Sequence, residues 1–136
     1  MNGTQINADF QDFKYLDLTE KTIEIFDKVY NRLGYGFLEK IYENAMMLEL
    51  EKAAISSFAQ FPISVIYEGE IMGEYFADIL IEDKVILEIK AAKNLTSKHE
   101  AQLLNYLKAT NVEVGLLLNF GSTPEVKRKA FDNLRK

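Results

Sequence analysis

The run Lys84-Val85-Ile86-Leu87-Glu88-Ile89-Lys90 constrains this chain more than any other segment. Its Val, Ile and Leu content fits a strand buried on both faces, a poor environment for isolated charges. Side chains alternate along a strand, so Glu88 and Lys90 point to one face. Just upstream, Tyr75 to Ile81 reads as a second strand, and the acidic pair Glu82-Asp83 reads as the tight turn between the two. That turn folds Asp78 back towards Glu88. Two carboxylates converging beside an ammonium group form a hard-cation site with a charge-stabilising neighbour. The same residues are also compatible with a buried Glu–Lys ion pair on a sheet face, and their spacing alone does not choose between the two.

A chain of 136 residues that is 48% hydrophobic is long enough to bury one real core. With no cysteine and a single histidine, His99, it offers no disulfide framework, no thiol nucleophile and no ordinary Cys/His zinc site. Residues 1–12 are polar and acidic, unlike a secretory signal, and no apolar run approaches membrane-spanning length. These features predict a cytoplasmic protein with no membrane association. The net charge of −5 is unevenly distributed: residues 1–83 carry 6 basic and 16 acidic side chains, residues 84–136 carry 10 and 5. The positive excess begins at the suspected site and ends in Lys127-Arg128-Lys129 and Arg135-Lys136, so this half is the one suited to a polyanion.

Residues 1–18 read as an N-terminal arm and residues 19–136 as a single domain. From Thr19, a plausible N-cap, Ile23, Phe26, Tyr30 and Leu33 recur at helical spacing up to Gly34. A second helix follows Gly36 and runs to about Ala54, with Leu38, Ile41, Tyr42, Ala45 and Leu48 as its expected buried stripe. Residues 61–67, 71–81 and 84–91 read as three strands, with a bulge or bend expected at Gly73. Residues 98–110 read as a helix, 112–120 as a last apolar strand and 124–136 as a short closing helix. The order ααβββαβα predicts an α/β fold. Three strands joined by tight turns are antiparallel, and the helix before the fourth permits a crossover, so the sheet is mixed and flanked by helices.

Three further positions can bear on chemistry. Glu39 lies about 60° around its helix from Tyr42, at the border of the stripe, where a carboxylate can reach into a cleft. Gln102 and Tyr106, four residues apart, share one face of the helix after Lys90, and both can hydrogen-bond a phosphate or a water. His99 falls at the start of that helix and reads as an exposed or hydrogen-bonded residue rather than a base.

Together these pieces resemble a known family. Gly36-Phe37-Leu38-Glu39-Lys40-Ile41-Tyr42 is similar to the G-x-x-E-x-x-Y signature of the GxxExxY proteins, a branch of the PD-(D/E)xK nuclease superfamily. The likeness continues through Asp78, Glu88-Ile89-Lys90, His99 to Thr110 and Gly115 to Gly121, in the same order, over roughly residues 19–130. It implies a restriction-endonuclease-like core, with Asp78 and Glu88 as metal carboxylates, Lys90 as the lysine and Glu39 as the helix-one acid. Gln102 and Tyr106 resemble the Q-x-x-x-Y element of RecB-type nucleases. Tyr30 and Phe76 depart from the resemblance, standing near positions where His and Arg are common. The implied activity is hydrolysis of phosphodiester bonds in DNA or RNA. Mg²⁺ or Mn²⁺ would be held by Asp78, Glu88, the Ile89 carbonyl and Glu39, while Lys93, Lys98 and Lys108 would contact the backbone of the nucleic acid. The alternative is a catalytically silent nuclease fold that binds nucleic acid or protein. An enzyme needs its charges at a water-accessible cleft, whereas a scaffold tolerates a sealed ion pair.

Overall fold

The computed structural model describes residues 14–136. The part of the expected N-terminal arm before Lys14 lies outside them. Helices α1 (Leu16–Leu33) and α2 (Glu39–Lys52) are followed by strands β1 (Ser57–Tyr67), β2 (Glu70–Ile81) and β3 (Val85–Lys90). Helix α3 (Ser97–Lys108), strands β4 (Val114–Asn119) and β5 (Glu125–Ala130), and a 3₁₀ turn (Asn133–Arg135) complete the chain. The five strands lie in sequence order, antiparallel except for the β3–β4 pair, which is parallel.

The sheet follows from local chemistry. Glu82 and Asp83 both adopt positive φ, at 51° and 56°, which turns the chain within the three-residue connection Glu82–Lys84 between β2 and β3, closed by the Lys84 N–H donating to the Ile81 carbonyl at 2.9 Å. The hairpin of β1 and β2 carries its irregularity opposite Gly73, whose partner is Val65: the register shifts between Val65 and Ile66. Each face of the sheet is then covered. Phe26, Val29, Met46 and Leu50 of α1 and α2 bury Ile79, Leu87, Leu116 and Leu118 on one side. Leu103 and Leu107 of α3 bury Leu80, Ile86 and Leu117 on the other.

Three expectations are corrected. Helix α1 begins at Leu16 rather than after a cap at Thr19, because the Thr19 hydroxyl donates to the Leu16 carbonyl (3.0 Å) from inside the first turn. Helix α2 buries Tyr42, Glu43, Met46 and Leu50, while Leu38, Ile41 and Leu48 of the expected stripe are exposed. Apolar residues surround this helix, and the face is chosen by Tyr42, whose ring stacks on Phe120 at 4.3 Å while its hydroxyl donates to the Gly34 carbonyl at 2.7 Å. Finally, residues 125–130 form a strand, not a helix. Glu, Lys and Arg favour helix in isolation, but the outer edge of β4 presents a row of backbone groups in a fully buried strand, and β5 pairs with it from Asn119↔Glu125 to Val114↔Ala130. The pairing ties down much of the basic C-terminus: Lys129 meets Glu100 at 2.5 Å, and Lys136 Nζ donates to the Thr110 and Val112 carbonyls at 2.8 Å.

Candidate active site at the parting of two strands

Strands β2 and β3 pair only from Ile79↔Leu87 to Ile81↔Val85 and separate beyond that point. The carboxylates stand in the resulting fork. The Ile89 backbone N–H donates to Asp78 Oδ2 at 2.6 Å, and the Asp78 backbone N–H donates to Glu88 Oε1 at 3.3 Å, so side chains take over where the ladder ends. The two carboxyl groups lie close enough for each to shift the other's titration. Burial raises the Asp78 pKa, against the opposing pull of the Ile89 N–H and of Glu88. Burial and then the neighbouring Asp78 charge push Glu88 up to about 9, so the two acids resist being ionised together.

Lys90 lies two residues beyond Glu88 and its charge reaches both acids. Its Nζ donates to Gln102 Oε1 at 3.1 Å, which fixes the ammonium between the fork and α3. One turn along α3, Tyr106 is almost fully buried; burial first, then the Glu88 and Asp78 charges, push its hydroxyl up to about 12. Gln102 and Tyr106 thus share one face of α3, as the four-residue spacing predicts, and Gln102 reaches Lys90 from it. Glu39 instead accepts from the Ala91 backbone N–H at 3.2 Å, just past the end of β3. Lys93, Lys98 and Lys108 are exposed, the first on the loop after β3 and the others on α3. His99 closes a capping box with Thr96 at the start of α3, accepting from the Thr96 N–H through Nδ1 at 3.1 Å.

Sequence reasoning missed two residues. Glu43, four positions and one turn beyond Glu39, is buried and near enough to Asp78 to disfavour its charge. It accepts from Lys40 Nζ and from Gln60 Nε2, both at 2.6 Å. Gln60 holds a positive φ of 56° inside β1, where the pairing with β2 skips from Ala59↔Ile79 to Phe61↔Ala77, directly opposite Asp78. A left-handed residue other than glycine within a strand is strained backbone of the kind that gathers at functional sites. The spacing from Glu39 could have flagged Glu43; nothing in the local pattern signals Gln60.

The loop that leaves the fork is clamped from behind. Asn119, fully buried, accepts from the Ala92 N–H and donates to the Ala92 carbonyl, both at 2.9 Å, and donates to Glu125 at 3.1 Å. Glu125 in turn accepts from the Leu95 N–H at 3.0 Å. Gly121 lets the chain pass: a Cβ there would lie 1.9 Å from the Ala92 carbonyl oxygen. Tyr30, one of the two departures from the resembled pattern, donates to the Gly121 carbonyl at 2.8 Å and so braces the same clamp.

The donor set of the fork is all oxygen, with one buried and one half-buried carboxylate that repel as anions, and such a set suits a hard divalent cation better than a soft one. Among the described residues no three acidic or imidazole side chains gather about one point. A mixed sheet covered on both faces thus carries two carboxylates in a fork with a lysine two residues beyond the second. A model of the PD-(D/E)XK nuclease superfamily matches residues 16–130, and the chain belongs to that superfamily. The crystal structure of SSO0001 resembles it in fold, with a TM-score of 0.55 at 17% identity over 68% of this chain and 50% of that one; the match thus spans half of that protein's length. A search among curated proteins gives no match.

Proposed function

We propose that this chain is a divalent-metal-dependent nuclease that hydrolyses phosphodiester bonds of nucleic acid, and that it falls among the GxxExxY proteins of its superfamily. The observation that carries this reading is the fork, where the Asp78 backbone N–H meets the Glu88 carboxylate at 3.3 Å and the Ile89 N–H meets that of Asp78 at 2.6 Å, with Lys90 two residues beyond Glu88. Asp78 and Glu88, with the Ile89 carbonyl and Glu39 at the rim, would hold Mg²⁺ or Mn²⁺. Such a cation supplies charge to polarise the scissile phosphate and to acidify an attacking water. Glu88 would bind such a cation as the carboxylate, so that binding would release its proton. Lys90, steadied by Gln102, faces the phosphate and offsets the negative charge that develops on it. Tyr106 keeps its proton throughout the neutral range and so acts only as a hydrogen-bond donor to a phosphate oxygen.

The test is cleavage of a panel of DNA and RNA substrates with Mg²⁺ or Mn²⁺. Lys90→Ala removes a charge but no ligand, so metal binding should survive while the rate falls by about a hundredfold or more. Equal background cleavage by wild type and Lys90→Ala on every substrate would replace this reading with that of a silent binding module.

A further inference from the structure

An open groove of about 770 Å³ runs beside the fork, between α3 and the hairpin of β1 and β2. Its volume is that of a ligand site. Residues of α3 line one wall at three- and four-residue steps along the helix, and β1 and β2 supply the other. Gln102 and Tyr106 belong both to this wall and to the face of α3 that looks at the fork, so groove and fork are continuous.

We propose that the groove seats an unpaired nucleic-acid strand, so that the substrate of the proposed nuclease is single-stranded or locally unpaired. The inference deepens the nuclease reading and rests on it for the direction in which the strand runs. Two features choose this occupant. Among the described residues, the only charged side chains lining the groove are Lys98 and Lys108, although acids outnumber bases in the chain by 21 to 16. These lysines lie about 15 Å apart along the helix axis, so that phosphates at both ends of the groove meet a cation. Apart from Ser64 the opposite wall is aliphatic and aromatic: Ile66 and Tyr75 are more than half exposed, and the Tyr75 ring stands 6.0 Å from that of Tyr106. An exposed ring beside an aliphatic wall is matched by the face of a base. A duplex hides its base faces in its own stack and presents phosphate and sugar instead, for which this wall has no partner.

Binding measured by fluorescence anisotropy in EDTA separates the groove from the chemistry. The probes are labelled single strands of roughly twelve nucleotides, as DNA and as RNA, and the blunt duplexes of the same sequence. The single strands should bind more tightly than the duplexes, and the two sugar types then show which source is preferred. Tyr75→Ala should weaken single-strand binding about tenfold, and Tyr75→Phe, which keeps the ring, should restore it. Joint Lys98→Gln and Lys108→Gln substitution, on an exposed helix surface, should reduce the slope of log affinity against log salt by about 1.4. Duplex binding as tight as single-strand binding, or an affinity unmoved by Tyr75→Ala and by the lysine pair, overturns the proposal. Single-strand binding of the expected kind without cleavage once Mg²⁺ or Mn²⁺ is added sinks the nuclease reading and upholds the groove. Cleavage of duplex and single strand alike, with Tyr75→Ala inert, does the reverse.

Discussion

At the scale of single residues, the proton on Glu88 has a measurable consequence. With a folded pKa near 9 and an ordinary value of 4.5 in the unfolded chain, the native state holds a proton across that window and the unfolded state does not. Stability without metal should therefore fall as pH rises from about 5 to about 9, by up to about 1.4 kcal/mol per pH unit from this group. Urea midpoints measured along that range check it, and Glu88→Gln, which mimics the protonated side chain, should flatten the dependence. An unchanged slope in the variant would place the proton elsewhere. Because cation and proton compete for the same carboxylate, metal affinity should rise over the same interval. Gln60 supplies a second test: Gln60→Ala keeps the left-handed φ but strips the amide from buried Glu43, and a loss of about 1–3 kcal/mol in stability is expected. Asp78, Glu88 and Lys90 were legible in the sequence because charge is conspicuous in an apolar strand. Glu43 was not, since a glutamate on a helix looks like surface until the fold turns that face inward.

Elements were legible where their ends carry chemistry. The Glu82-Asp83 turn marked the β2–β3 hairpin, and the Gly34 stop closed α1 where expected. They were illegible where the environment decides. Residues 125–130 have helical composition, and only the unpaired edge of β4 makes them a strand. The clamp at the end of β4 is the element-level device that holds the fork's exit loop. Asn119→Ala should leave the Ala92 backbone groups without their partner and cost about 1–3 kcal/mol, with a loss of metal affinity larger than for surface changes on α3. Thermal melts with and without Mn²⁺ separate the two effects. Gly121→Ala meets the same loop as a steric clash and should destabilise by at least as much.

For the molecule as a whole, the two halves of the charge distribution meet at the sheet. No helix among the described residues is long and apolar enough to cross a membrane. The groove, by contrast, had no sequence signature, because it arises between a hairpin and a helix more than 20 residues apart in the chain. Metal binding to the folded state alone should raise the melting temperature, by about 2.7 kcal/mol of added stability at a hundredfold excess over the dissociation constant. No stabilisation by Mg²⁺ or Mn²⁺ at millimolar concentration, or the same stabilisation in Asp78→Ala, would count against the fork as a cation site.

Asp78 and Glu88 stand where backbone hydrogen bonds between β2 and β3 run out, so each is a rivet as well as a ligand of the proposed cation site. On the proposed nuclease reading, selection on folding and selection on catalysis fall on the same two residues. A lineage that gave up cleavage would still be held to both acids by the need to close the sheet, and would drift first at Lys90, whose ammonium rests on a side-chain amide rather than in the ladder. Among descendants of this chain, the lysine is the mark by which a working enzyme would be told from its relics.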